Sequence, residues 1–440
     1  MERPLFMPGR LGLQGEFYQY VLAAVYHADG LWADATFDLY ARALPTGWGY
    51  FVAAGLGPVL DHLEALRFSD AEIDAIRRDP VFAKIKPSFF DFLKRFKFTG
   101  EIKAVPEGSV VFPSEPILRV TAPLVACTLI ETRLIQLIAS STAVATRAAR
   151  MVDVAGKRPI LDFGSRRCPS PEAALLAARS AYIGGVAATT NALAAFELGI
   201  PSMGTMADTF LAAYGNDRLA YDAFRLHFPG LAHLSLPDDD PGDGVEQFAR
   251  FKNEVASVRI DHDDLGRMSH TVRDALDRNG MKKVRILGSG HLDEHRIAKL
   301  VASKAPVNLF AVGRALAANG DLGMSMAFRI AEMTRGGAAA PVTRQGSSPY
   351  PGKKQIIRFS DRDLMCLDSE QTQHEHSGGR AILRVAMRAG VRMDDDPNLA
   401  DVRQRRADDV KALPASVRKL DSPASWPVGV SDALAALSLG

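Results

Sequence analysis

Residues 283–313 read KVRILGSGHLDEHRIAKLVASKAPVNLFAVG. Two short apolar runs, VRIL and VNLFAV, each end on a glycine, and a stretch of helical periodicity lies between them. That order is the sequence form of a strand, a helix and a second, parallel strand. Four earlier runs have the same character: RPILDFG at 158–164, IPSMGTM at 200–206, LAHLSL at 231–236 and ASVRID at 256–261. Together the six predict an α/β unit over residues 146–345, built on a parallel sheet that is either open or closed into an irregular (β/α) barrel. Ser170, Pro171 and Glu172 supply a cap, a first-turn proline and a first-turn acid for helix ahead of Gly199, with Gly184-Gly185 marking a break.

Parallel barrels carry their chemistry where strands end, because the loops there aim several side chains at one volume. Here the ends read Asp162-Phe163-Gly164-Ser165-Arg166-Arg167, Gly204-Thr205-Met206-Ala207-Asp208, Pro237-Asp238-Asp239-Asp240, Arg259-Ile260-Asp261-His262-Asp263-Asp264, Ser289-Gly290-His291 and Gly313-Arg314. Carboxylates hold a hard cation that bridges phosphate oxygens, so Asp261, Asp264 and Asp240 are the candidates for magnesium. For PDDDPGDG, around Asp240, a solvated loop is the simpler account. For SVRID, the two-residue strand period places Arg259 and Asp261 on one face, where cation and carboxylate converge. Ser289, Gly290 and Gly313 belong to glycine turns whose free amides suit a phosphate, and Arg314 adds a charge. Phe163 beside Arg166 and Arg167 offers an aromatic face and guanidinium groups for a flat anionic heteroaromatic ring; the plainer reading is a core phenylalanine with surface arginines. Tyr18, in GEFYQY, reads by itself as a helix-buried aromatic.

The flanks differ in texture. Residues 1–145 predict an α+β unit, with a capping box at Ser69–Glu72 and short antiparallel strands in EIKAVPEGSVVFPSEPILRV at 101–120. Residues 346–440 hold PGKKQIIRF, a polar loop with His374 and His376, and an Arg/Asp-rich helical tail, and are expected to pack back on the first unit. Over 440 residues, 53 basic and 51 acidic side chains leave +2 with no long basic run, which argues against a nucleic-acid surface. Cys127, Cys168 and Cys366 lie far apart without CxxC, so a disulfide framework or cysteine-rich zinc site is not expected. MERPLFMPGRLGLQGEFYQY lacks a signal peptide's apolar core, and the most apolar stretch, TAPLVACTLIETRLIQLIAS, is interrupted by Glu131 and Arg133. A cytoplasmic protein with no membrane partner is the expectation.

The run DFGSRRCPSPEAALLAARSAYIGGVAATTNALAAFELGIPSMGTMADTF at 162–210 resembles nicotinate phosphoribosyltransferases. FDLYARALPTGWGYFVAAGLGPVLDHLEALRFSDAEIDAI, FKFTGEIKAVPEGSVVFPSEPILRV, SVRID, VRILGSGHLDEHRI, FAVG and PGKKQ continue the likeness in order. The resemblance implies a type II phosphoribosyltransferase fold: a barrel-like domain, an N-terminal α+β domain completed by the C-terminal segment, and a head-to-tail homodimer with shared sites. It implies transfer of phosphoribosyl from phosphoribosyl pyrophosphate to nicotinate with magnesium, giving nicotinate mononucleotide and pyrophosphate in NAD salvage. On that likeness Phe163 stacks on the pyridine ring and Tyr18 of a neighbouring subunit covers its other face. Arg166 and Arg259 hold the pyrophosphate or ring carboxylate, Asp261 lies near ribose and metal, and Ser289, Gly290 and Gly313 cradle the 5′-phosphate. Arg167 and Thr205 are further substrate candidates. Thr190 stands where an aspartate marks the related nicotinamide enzymes, and so favours an acid over an amide.

The departures bear on mechanism. The family's GTMAHS histidine, which takes a phosphoryl group from ATP, is Asp208 here; DSGDL is Asp261-His262-Asp263-Asp264-Leu265; DTYD is Pro237-Asp238-Asp239-Asp240; GVGT ends in Arg314. The N-terminal TDLY is Gly15-Glu16-Phe17-Tyr18, and the lysine of ATKAAR is Arg147. These changes put ATP coupling, and with it a ligase rather than a simple pentosyltransferase, in question. They leave open a transferase for another heteroaromatic base, with His262, Asp263 and Arg314 as a reshaped pocket, or an inactive ligand-sensing homologue.

Overall fold

The computed structural model describes residues 10–228, 233–236, 241–249, 254–317, 324–394 and 397–438. The chain divides into two units, residues 144–322 and residues 1–143 together with 323–440.

In the first of these, six parallel strands pair in the order Ala188–Thr189, Ile160–Asp162, Leu309–Val312, Arg285–Ser289, Ser257–Asp261 and His233–Ser235. The edge strands, Ala188–Thr189 and His233–Ser235, do not pair with each other among the described residues. Alternation along each strand divides the side chains between two faces. Val258, Ile260, Ile286, Phe310 and Val312 join the core with the surrounding helices. Leu161, Ala188, Leu287, Leu309 and Ala311 form a second, inner cluster. Arg259 lies opposite Leu287, and Asp261 opposite Ser289.

One of the six expected strands is displaced. IPSMGTM contributes only a single bridge, Ser202 to Thr189, and the sixth strand is Ala188–Thr189 instead. Pro201 carries no amide for a ladder, which suits a bridge rather than a strand. The helix Pro171–Ile183 begins on the expected Ser170 cap, whose hydroxyl accepts from the Ala173 amide, and ends at Gly184.

The other unit holds a seven-stranded antiparallel sheet in the order 338–341, 326–335, 34–41, 116–123, 101–104, 384–388 and 391–392. Strand Met326–Arg335 pairs with Asp34–Ala41, so residues 326–345 belong here and not to the barrel as expected. Strand Arg384–Arg388 pairs with Glu101–Ala104, so the C-terminal segment completes the sheet. The helix Asp70–Arg78 opens with the expected capping box: the Ser69 amide donates to Glu72 Oε2 (2.7 Å) and the Glu72 amide to Ser69 Oγ (3.3 Å). The apolar stretch around 121–140 forms much of a helix, Leu124–Ala155, the one described helix long and apolar enough to cross a membrane. Two-thirds of its most apolar window is buried inside the protein, as in a core helix.

Buried charge ties the C-terminal segment to the sheet. Lys354 Nζ lies 2.6 Å from Asp38 Oδ2 with both side chains almost fully buried, and it donates to the Gly352 carbonyl (2.9 Å). Arg119 and Lys103 both reach Asp368 (3.2 and 2.8 Å). Arg358 pairs with Asp363 (2.7 Å) and Asp409 (3.3 Å). Close to this last group Glu115 is completely buried; burial foremost, then the Asp363 carboxylate, pushes its carboxyl well above the usual range. The folded protein therefore holds that proton more tightly than the unfolded chain does. Its stabilising contribution is complete below the unfolded value of about 4.3 and is lost as pH rises through the raised folded value. Glu115→Gln removes that loss, so its melting temperature should gain on the parent's steadily from pH 4 upwards. A difference that stays flat with pH would show that Glu115 does not titrate in this way.

Candidate active site

At the strand ends of unit 144–322 lies a cleft of about 290 Å³, lined in part by Phe163, Arg166, Arg167, Arg259, Asp261, Ser289, Gly290, Gly313 and Arg314. Nine of the expected site residues thus share one volume. Arg166 and Arg167 lie on a 3-10 turn, Ser165–Arg167, directly after strand Ile160–Asp162, which is why they flank Phe163.

Arg259 is the hub, 8% exposed. Its Nε donates to Ser289 Oγ (3.0 Å), one terminal nitrogen to Ser235 Oγ (3.3 Å) and the other to Asp261 Oδ2. Asp208 Oδ1 stands 3.6 Å away. The guanidinium is thereby fixed between two carboxylates and two hydroxyls. Asp208 itself begins the short helix Asp208–Tyr214 and has a largely exposed side chain.

The glycine turns are set by close backbone approach. Gly290 has φ +113°, and a side chain there would place Cβ 2.7 Å from the His262 carbonyl oxygen. At Gly313 a Cβ would come within 3.2 Å of the Phe163 carbonyl oxygen. His291, next to Gly290, lines the cleft at φ +48°, an uncommon conformation for a residue with a side chain.

Three residues without an assigned role also shape the mouth. Asp162 is buried, accepting from Thr189 Oγ1 and from the Gly164 amide (both 2.7 Å), and burial raises its carboxyl despite those bonds. It holds the turn that carries Phe163. Ser235 bonds Arg259, and Asp293 lines the cleft while capping helix Glu294–Ala302 through the Arg296 amide (2.7 Å). Each sits at a strand end or helix start, a signal the sequence already carried.

Other expected residues lie elsewhere. Asp264 does not line the cleft: it caps helix Leu265–Arg278 and binds Arg267 (3.1 Å), bonds that hold its carboxyl below the usual range. Thr190 is exposed, its amide donating to the Asp162 carbonyl (2.9 Å), and neither it nor Thr205 lines the cleft. Tyr18 belongs to the other unit, on helix Phe17–Ala28; it is about half exposed rather than buried, and its hydroxyl donates to Glu131 (3.4 Å). Asp240 lies outside the described residues.

Three family profiles match the chain: the nicotinate phosphoribosyltransferase N-terminal domain at residues 13–139, its C-terminal domain at 366–438, and the quinolinate phosphoribosyl transferase C-terminal domain at 144–327. A nicotinate phosphoribosyltransferase of Mycobacterium tuberculosis is 34% identical over 427 residues, spanning 95% of this chain and 91% of that protein. The chain belongs to the nicotinate phosphoribosyltransferase family. Another relative, from Bacillus subtilis, is 28% identical and covers 97% of this chain and 94% of its own. The crystal structure of human nicotinic acid phosphoribosyltransferase superposes with a TM-score of 0.80 at 25% identity, covering 97% of this chain and 99% of that one. A nicotinate-nucleotide pyrophosphorylase from Pyrococcus furiosus shares the fold, with a TM-score of 0.78 at 21% identity over 94% of this chain and 99% of that one.

Proposed function

We propose that the protein transfers phosphoribosyl from phosphoribosyl pyrophosphate to nicotinate, forming nicotinate mononucleotide and pyrophosphate in NAD salvage. One observation carries this reading beyond membership of the family: Phe163, four arginines and two glycine turns line a single volume. The ring nitrogen attacks the ribose anomeric carbon as the bond to pyrophosphate breaks, its electron pair leaving with the pyrophosphate. No protein nucleophile is needed; the chain positions the partners and stabilises charge. Arg259 faces the departing pyrophosphate, Arg166 or Arg167 the ring carboxylate, and the Gly290 and Gly313 turns the 5′-phosphate.

Asp261 is a hard oxygen donor at the cleft, partly exposed, which suits magnesium carried mainly by the substrate's phosphates and water. When bound, the ion neutralises charge on the pyrophosphate oxygens. ATP coupling is not part of this reading, because Asp208 faces Arg259 as an ion-pair partner where the family pattern has its phosphoryl-accepting histidine. The working form is a cytoplasmic homodimer with shared sites; exposed Phe17, Tyr18, Leu22 and Val25 on helix Phe17–Ala28 support a partner there. Light scattering should give the mass of two chains; one chain's mass would count against shared sites.

Arg314 favours a second reading. A cation at the cleft where the family pattern ends in threonine suits a base with more negative charge than nicotinate. Product analysis with phosphoribosyl pyrophosphate, magnesium and a panel of pyridine mono- and dicarboxylates decides between the two. Nicotinate mononucleotide formed at equal rates with and without ATP, with no labelled protein from γ-labelled ATP, is expected. A mononucleotide from a dicarboxylate alone would transfer the assignment to that acid, and turnover of none of them would leave a ligand-binding homologue.

Phe163→Ala should weaken the base far more than phosphoribosyl pyrophosphate, since an aromatic stack contributes about 1 kcal/mol beyond area burial. Titration of each ligand separately checks it, and equal losses for both would end the stacking role.

A further inference from the structure

Cys366, Glu370 and His374 lie four residues apart in sequence, in the unit of residues 1–143 and 323–440, away in the chain from every cleft residue. Strand Asp363–Leu367 supplies the cysteine, the turn Asp368–Glu370 the glutamate, and helix Gln371–His376 the histidine. The turn folds the chain back on the strand, so one donor atom from each converges, and all three lie within 4.8 Å of one another.

The surroundings orient this group without satisfying it. Glu370 Oε2 accepts from the Leu367 amide (2.8 Å) and from Ser431 Oγ (2.7 Å), which leaves Oε1 turned towards His374. His374 Nε2 stands 3.9 Å from that oxygen, too far for a hydrogen bond, and although fully buried it has no hydrogen-bond partner among the described residues. Cys366 is 0% exposed. A buried, unpaired imidazole nitrogen costs stability unless something occupies its lone pair or its proton.

We propose that these three residues bind a zinc-class divalent cation, with water as a fourth ligand. Thiolate, imidazole and carboxylate are the donors such a cation takes, at about 2.3 Å to sulfur and about 2.0–2.2 Å to nitrogen and oxygen. Donor atoms around one tetrahedral ion stand somewhat closer than the 4.8 Å limit observed, so small side-chain rotations complete the set. On binding, the Cys366 thiol proton passes to solvent, the neutral imidazole gives its Nε2 lone pair, and Glu370 Oε1 gives one oxygen while Oε2 keeps its two hydrogen bonds. Glu370 and His374 are each nearly a fifth exposed, which gives the ion a way in and room for the water. The ion then pins helix Gln371–His376 to its strand and, through Ser431, to the segment after strand Val428–Val430: a structural site.

The test uses the full chain, stripped with a chelator and titrated with Co2+ as spectroscopic probe, then with Zn2+. One Co2+ per chain should bind with a near-ultraviolet thiolate-to-metal band that Zn2+ displaces, and Zn2+ should raise the melting temperature by several degrees. Cys366→Ala should abolish the band and His374→Gln should weaken binding at least tenfold, while Cys168→Ser should change neither. Absence of a thiolate band, or a band that survives Cys366→Ala, overturns the proposal. Should Cys366→Ala fail to fold, unchanged Co2+ affinity in His374→Gln overturns it alone.

Discussion

Arg259→Met is expected to lower kcat/KM for mononucleotide formation by about 10²–10³-fold, the range found when one preorganised donor to developing charge is lost, roughly 2.7–4 kcal/mol. The size follows from burial and from the number of groups that depend on this side chain. Its nitrogens hold Ser289, Ser235 and Asp261, and Asp208 is in ion-pair range. Methionine fills much of the volume but leaves Asp261 facing Asp208 with no cation between them. Arg259→Lys keeps the charge and loses the planar fork that reaches several partners at once, so it should also fall, by tenfold or more. Initial rates with phosphoribosyl pyrophosphate varied, alongside melting curves showing a folded protein, check both variants. Activity within about threefold of the parent in Arg259→Met would reduce the residue to scaffolding.

The second large effect is on stability. Lys354→Met removes one member of a buried ion pair, leaving Asp38 at 0% exposure without its cation. Removing one partner of such a pair costs about 3–5 kcal/mol, which lowers the melting temperature by roughly 3–5 °C for a protein of this size. The double variant Lys354→Met, Asp38→Leu should recover most of the loss, because no uncompensated charge then stays buried. Denaturant unfolding of the parent, both single variants and the double closes the cycle. A loss under about 1 kcal/mol in Lys354→Met would mean that Asp38 takes up a proton or finds water at little cost.

How much of this is legible in the sequence depends on the range of the interaction. The two-residue period of SVRID was enough to put Arg259 and Asp261 on one face, and glycines after apolar runs were enough to mark Gly290 and Gly313 as turns. What the period could not supply was the partner: Arg259 and Asp261 bind each other, and Asp208 joins them from a segment about fifty residues earlier. Asp264 lies outside the cleft lining because an aspartate just ahead of a helix serves equally as a cap or as a ligand, and here it accepts from the Arg267 amide. The IPSMGTM run has strand-like composition, yet Pro201 leaves it a single bridge. The Cys366, Glu370 and His374 spacing stood in plain view as every fourth residue, but it crosses from strand to helix, where no single periodicity applies.

The strand Arg384–Arg388 has a consequence for the order of folding. It completes a sheet begun near the N-terminus, and Arg388 reaches Glu101, 287 positions earlier. Contacts of such long sequence separation form late, because a very large loop must close before they yield anything. The inserted stretch 144–322 is continuous, so during synthesis it can collapse as soon as it leaves the ribosome. The segment ahead of it must meanwhile wait, with the edge of Glu101–Ala104 unpaired. That waiting edge is an opening for chaperones and for mispairing between nascent chains, and a ribosome stalled before residue 384 would hold a folded stretch 144–322 attached to an unfinished sheet.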